Sequence, residues 1–337
     1  MRRQIIQASI VAMAAGLSLC GSANAKPTYT TFDPPNALYT YPMSIHDGVI
    51  AGQYEDNTFI NHGFMRTADG TIVTFDPPGS TGTYVLSMNS SGAIAGYADD
   101  SAFNGHAFVR NPDGTFTAIK PRTAVSTYAY GINAKGAVAG YYADAANGFH
   151  GFLRQANGRI KKFDIPGAQF MFVYGMNDAS TIIGNYEDSS FATHGFLRTA
   201  DGTITSFDPP GSTFTNPNVI NNDGTIAGYE IDSSSVAHGF VRTADGTISV
   251  FDVPGALGTL AEGLNSNGEA VGYYLDSNYG AHGFLRRANG KIQLFDVPHS
   301  TGTFVQTLDS DHADHHAAVG FYDDSNNLAH GYIRTPQ

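Results

Sequence analysis

Seven histidines recur along the chain with an arginine four residues behind each. They are His62, His106, His150, His194, His238, His282 and His330, followed by Arg66, Arg110, Arg154, Arg198, Arg242, Arg286 and Arg334. Aspartates keep step, as Asp188 and Asp208 do around His194. Imidazole, carboxylate and guanidinium are groups of proton transfer and anion recognition. Their recurrence points elsewhere. A single site has to be built from residues that differ between copies, so the repeated set reads as scaffolding that satisfies buried turns and links neighbouring strands.

Departures from the repeat are therefore the candidates for chemistry. Where other units carry Phe-Asp, one carries Ile119 and Lys120, followed by Pro121 and Arg122. In an acidic chain Lys120 and Arg122 could receive a carboxylate or sulfate, against the alternative of drift at a solvent-exposed turn. Phe59, Phe103, Phe191 and Tyr279 each stand three residues before a repeat histidine, among Asp, Asn and Ser. Such rings could cover the apolar face of a sugar while polar neighbours take its hydroxyls; the alternative is packing of a loop onto its own unit. The run "QFMFVYG" adds Phe170, Phe172 and Tyr174, in a connection expected to descend toward a central channel. The stretch "DSDHADHH", from Asp309 to His316, mixes imidazoles with carboxylates but lacks a diagnostic ligand spacing, so a solvated loop is expected there and no metal. No cysteine nucleophile, Gly-x-Ser-x-Gly elbow or phosphate-binding glycine loop is present, and no cofactor is expected.

The elements that hold these residues follow from the period. Successive repeat histidines are 44 residues apart until the last interval of 48. A Phe-Asp-x-Pro element runs from Phe32 to Phe295 with spacings of 43 and then 44, with Ile119 in its degenerate copy. Within a unit, short β-prone runs of four to six residues end at segments such as "NVIN", "TIAGY", "HGFVR" and "TISVF". Gly and Asn-Asp-Gly clusters separate them, and no segment sustains an apolar helical period. Four antiparallel strands in about 44 residues, repeated in seven units, predict an all-β fold: a seven-bladed β-propeller of four-stranded blades. The segment "PTYTTFDPP" near residue 30 matches a fourth strand, while "HGYIRTPQ" ends on a third. An N-terminal strand completing the last blade is thus expected to close the ring, where an open solenoid would need caps. The connections from second to third and from fourth to first strand look longest and share one face, which places a ligand site there, at the channel mouth.

The units "N-x-x-G-x-I-A-G-Y" and "FD-x-PG", with "HAF" at His106 to Phe108 and its "HGF" variants, resemble the HAF-repeat family of bacterial extracellular proteins. The likeness covers essentially residues 26–337, expected to form a single domain. It implies an extracellular repeat protein and carries no catalytic residue over.

Residues 1–25 have the basic start, apolar middle and small-residue finish of a signal peptide, so a secreted or periplasmic product is expected. Cys20, the one cysteine, would leave with it, and no disulfide would remain. Removing Arg2 and Arg3 from 18 basic residues leaves 16 against 30 acidic ones, a formal charge of −14. That balance argues against nucleic acid as a partner, and no later apolar run is long enough for membrane insertion. Two functions remain: a binding or interaction module for an extracellular glycan or protein ligand, or a polysaccharide lyase or glycoside hydrolase acting at the mouth.

Overall fold

The computed structural model describes residues 26–309 and 317–336, and among these every regular element is a β-strand. The expected signal segment and the histidine-rich stretch 310–316 lie outside the described residues. The second unit is typical: strands Gly82–Met88, Ile94–Asp99, Gly105–Arg110 and Phe116–Ile119 pair in order as an antiparallel sheet. Three side chains close its turns. Asn89 Oδ1 accepts the amides of Ser91 and Ala93, Asp100 Oδ1 those of Ala102 and Asn104, and Asp113 Oδ1 that of Thr115. Asn and Asp supply such acceptors without leaving the chain direction, which is why the polar Gly-rich clusters fall between strands.

Two sequence expectations change here. The second-to-third connection is a tight hairpin closed by its aspartate, with Phe103 N bonded to Asp100 O and Asp100 N to Asn104 O, rather than a long loop. The innermost strands are longer than four to six residues: Ala37–His46 has ten and Ser212–Ile220 nine, where a second bulge near the start of each lets pairing run further.

Burial explains the strand pattern. Phe64, Phe152, Phe196, Phe240 and Phe284, the aromatics of the His-Gly-Phe triplets, are fully buried, and Tyr332 fills the same place in the last unit. The glycine of each Ala-Gly-Tyr segment is required by close approach: a Cβ on Gly96 would lie 2.0 Å from the Tyr84 carbonyl oxygen. Units meet through aromatics between a second strand and the next inner strand. Tyr97 packs on Tyr128 at 4.9 Å, Tyr141 on Phe172 at 5.2 Å and Tyr273 on Phe304 at 5.1 Å between ring centroids.

Five sheets have four strands each, and an eight-stranded sheet consists of two such units joined by a parallel bridge between Thr193 and Phe214. The topology is that of a β-propeller. Strand Thr28–Phe32 pairs antiparallel with Ala329–Thr335, from Thr28 opposite Thr335 to Phe32 opposite Gly331, and so forms the outer edge of the sheet of the last unit. First and last units touch directly: Tyr41 meets Phe321 at 5.0 Å, and Phe32, Ile45, Phe64 and Val319 share one apolar cluster.

Candidate functional site

The repeated polar residues are joints between units. His62 Nδ1 lies 2.7 Å from Asp76, whose other oxygen accepts a hydrogen bond from Thr83 in the next unit. His194, Asp208 and Thr215 repeat the arrangement. Six of the seven repeat arginines lie over the phenylalanine that ends the preceding unit, as Arg110 does over Phe75 at 4.9 Å and Arg198 over Phe163 at 4.8 Å; for Arg154 that position is Ile119. A half-desolvated guanidinium on an aromatic face stabilises by about 0.5–2 kcal/mol. The buried asparagines of the first turn add a rim: Asn89 Nδ2 donates to Asn133 O, Asn177 to Asn221 O and Asn221 to Asn265 O. These geometries match the scaffolding expected of the set.

The second unit breaks the joint. Ala107 pairs with Ile119, so Lys120 stands at the level of His106, where the other units have an aspartate. His106 keeps one carboxylate, with Nε2 2.8 Å from Asp100, and its side chain is 46% exposed against 21–30% for the other six. Lys120 and Arg122 are both exposed. Thr123, at the position of Gly79 and Gly167 in neighbouring units, has φ of 80°, a left-handed conformation that a β-branched residue rarely adopts. Lys162 of the third unit braces it, donating to Arg122 O and Thr123 Oγ1 and lying over the Tyr142 ring at 4.7 Å. A strained turn held by a neighbour thus presents two cations together with an imidazole of reduced pairing.

The four hairpin aromatics face solvent. Phe59 is 71% exposed, Phe103 84%, Phe191 80% and Tyr279 76%, so packing of their rings onto the unit is not their role. All four have φ between 61° and 66°, where the equivalent residues elsewhere are Asn147, Ser235 and Asn327. Asn accepts this region easily, whereas a bulky ring there costs roughly 1 kcal/mol. Chain direction places these hairpins on the same face as the connection carrying Lys120 and Arg122, and Phe103 shares a unit with that pair.

Phe170, Phe172 and Tyr174 lie on an inner strand, Phe170–Met176, rather than in a connection. They serve different ends. Phe170 is partly exposed, Phe172 packs between Tyr141 and Phe149, and Tyr174 lines a central cavity of about 490 Å³. The cavity lies between the inner strands and the first-to-second turns, with Asn89, Asn177 and Asn221 among its walls, so it sits toward the face opposite the aromatics. Its polar wall includes Asn218 and Glu262, which sequence reading passed over; the signal was Asn185, standing in "IIGNY" where four of the six sister segments carry tyrosine. Among the described residues no group of three or more His, Cys, Asp or Glu could hold a metal ion. No described helix is long and apolar enough to cross a membrane.

No protein-family model matches the chain, and no curated protein does. Solved structures do match. The β-propeller domain of the Trilobed protease from Pyrococcus furiosus, which has an open velcro topology, aligns over 88% of this chain and 94% of its own at a TM-score of 0.65 and 11% identity. A lectin from Burkholderia pseudomallei aligns over 89% and 99% at 0.57 and 8%, and a polysaccharide lyase over 90% of both chains at 0.53 and 9%. At such identities the likeness shows the propeller fold alone.

Proposed function

We propose that the chain is an exported repeat protein of the HAF type, that its seven units close into one ring through the N-terminal strand, and that it binds an extracellular glycan. The face carrying Phe59, Phe103, Phe191, Tyr279, Lys120 and Arg122 forms the binding surface. The observation that carries this reading is the exposure of four aromatics in left-handed backbone positions, an arrangement that gives up stability and gains nothing from packing. Lys120 and Arg122 on a strained, braced turn favour an acidic sugar. The lectin among the similar structures is consistent with sugar binding on such a fold.

A glycan array read against acidic and neutral oligosaccharides tests the proposal. Affinity for an acidic glycan that falls in a folded Lys120→Ala/Arg122→Ala variant supports it, as does loss of both classes when the four aromatics are replaced. No glycan bound by the folded parent overturns it. Release of unsaturated product from polyuronates, followed by ultraviolet absorbance, would replace binding with lyase activity at the same face.

A further inference from the structure

The central cavity has two unlike walls at mid-depth. Met43 and Leu86 are apolar, while Tyr130, Tyr174, Asn218, Glu262 and Gln306 follow from the third unit to the seventh. Behind the polar wall a hydrogen-bond chain crosses three units. Tyr174 Oη donates to Asn185 Oδ1 at 3.3 Å, Asn185 Nδ2 to Asn216 Oδ1 at 3.0 Å, Asn216 Nδ2 to Asn218 Oδ1, and Asn218 Nδ2 to Glu262 Oε2 at 2.9 Å. Asn218 Nδ2 also faces the Ala261 carbonyl oxygen, which can only accept, and this fixes the sense of the whole chain. Every donor points toward Glu262.

Asn218 engages Oε2 of Glu262 and leaves Oε1 to the lumen, and no lysine or arginine lines the cavity. A carboxylate surrounded by protein needs a donor, and a cationic donor offsets its charge as well. The remaining partner must come from the lumen. A divalent cation suits the site poorly, because it would want several oxygens whereas Asn218 turns its Nδ2 toward Glu262. Tyr130 and Tyr174 meet edge to face, 5.9 Å apart between centroids, and a phenol face open to the lumen attracts positive charge.

We propose that the central cavity binds a small primary amine as its ammonium ion, donating to Glu262 and lying against Tyr130 and Tyr174. The site is separate from the glycan surface and does not depend on it. Desolvation pushes the Glu262 carboxyl up to about 7, so ammonium binding, which favours the charged form, releases protons near neutral pH. The neighbouring tyrosines do not compete in this range: burial raises Tyr130, Tyr174 and Tyr229 and pushes Tyr273 up to about 12. His46 and Asp178 line the rim of the cavity.

Isothermal titration calorimetry with 1,4-diaminobutane, using sorbitol and calcium chloride as comparisons, tests the site on the whole chain. Saturable one-site binding of the diamine is expected, at least about tenfold weaker in Glu262→Gln and weakened less in Tyr174→Phe. Sorbitol and calcium should not saturate. Should Glu262→Gln fail to fold, the parent decides alone: titrations at pH 6.5 in buffers of different ionisation enthalpy must show proton release. No diamine binding, binding unchanged in folded Glu262→Gln, absence of proton release, or saturation by sorbitol or calcium instead would each overturn the proposal.

Discussion

His330 and Asp33 are separated by 297 residues yet make the contact that joins His62 to Asp76 across 14, with Nδ1 2.8 Å from Oδ2. Asp33 Oδ1 also accepts from Thr40 at 2.6 Å, and Arg66 lies over Phe32 at 5.2 Å. The boundary between last and first units therefore uses the same parts as the others. Deleting residues 28–32 removes a strand and the buried Phe32. The expected cost is about 3 kcal/mol or more, from ladder bonds and apolar area together, and calorimetric melting should fall by roughly 5–10 °C. An unchanged melting temperature would refute closure by this strand.

Tyr332 offers a test in the opposite direction. Its ring is fully buried in the place of a phenylalanine, and its hydroxyl has no hydrogen-bond partner among the described residues. Tyr332→Phe should stabilise by about 1 kcal/mol, since an unpaired buried hydroxyl is relieved without a change of shape. Chemical denaturation should show a higher midpoint with the same slope.

The arginine latches contain an internal control. Arg198→Lys loses a planar cation over Phe163 and should cost about 1 kcal/mol. For Arg154 the corresponding position of the preceding unit is Ile119 instead of phenylalanine, so Arg154→Lys should cost measurably less. Equal losses would mean that the aromatic face contributes little.

Stability should fall on both sides of a mildly acidic optimum. The Thr58 hydroxyl and Ile60 amide hold Asp56 near 2, and the Ser190 hydroxyl and amide do the same for Asp188. A carboxyl depressed in the folded state stabilises fully above its unfolded value near 3.8, and that contribution disappears as pH falls through 2. Burial alone would lower His194, but hydrogen bonds and charge from Asp208 and Asp188 outweigh it and raise the imidazole; His238 follows with Asp252. Their stabilisation is full below 6.5 and is lost as pH rises through the raised values. Glu262 acts in the same sense, holding a proton between about 4.5 and 7 that the unfolded chain has released. Melting curves from pH 2 to 9 should flatten on the acid limb in Asp188→Asn, and on the other in His194→Gln and Glu262→Gln. Identical profiles in the variants would remove these groups from the explanation.

The hairpin aromatics separate binding from folding. Phe191→Asn places in the left-handed position the residue type found at Asn147 and Asn327, so melting temperature should hold or rise by about 1–2 °C. Glycan affinity should nevertheless fall. A drop in melting temperature would return Phe191 to a packing role.

The period, the four strands and the partner of the first strand were legible because each was stated repeatedly, and errors in one unit were corrected by its sisters. Hairpin size was not. The second-to-third connection reads as a polar run, and only the fold of Asp100 Oδ1 back onto Ala102 and Asn104 draws it tight. Lys120 and Arg122 stood out as departures, whereas the brace from Lys162 comes from another unit and has no local signature. Glu262 and Asn218 stayed hidden for a related reason: facing the lumen depends on a bulge after Ala261 that sets the register of its strand.

The pairing of Thr28–Phe32 with Ala329–Thr335 also fixes an order in time. Thr28–Phe32 finds its partner about 300 residues further along the chain, and at roughly 5–20 residues per second synthesis separates them by about 15–60 s. Through that interval the earlier strand lacks its native neighbour, and a chain terminated before Ala329 never supplies one. Such a truncated product keeps an unpaired strand edge by which proteases and chaperones can tell it from a chain that carries the partner.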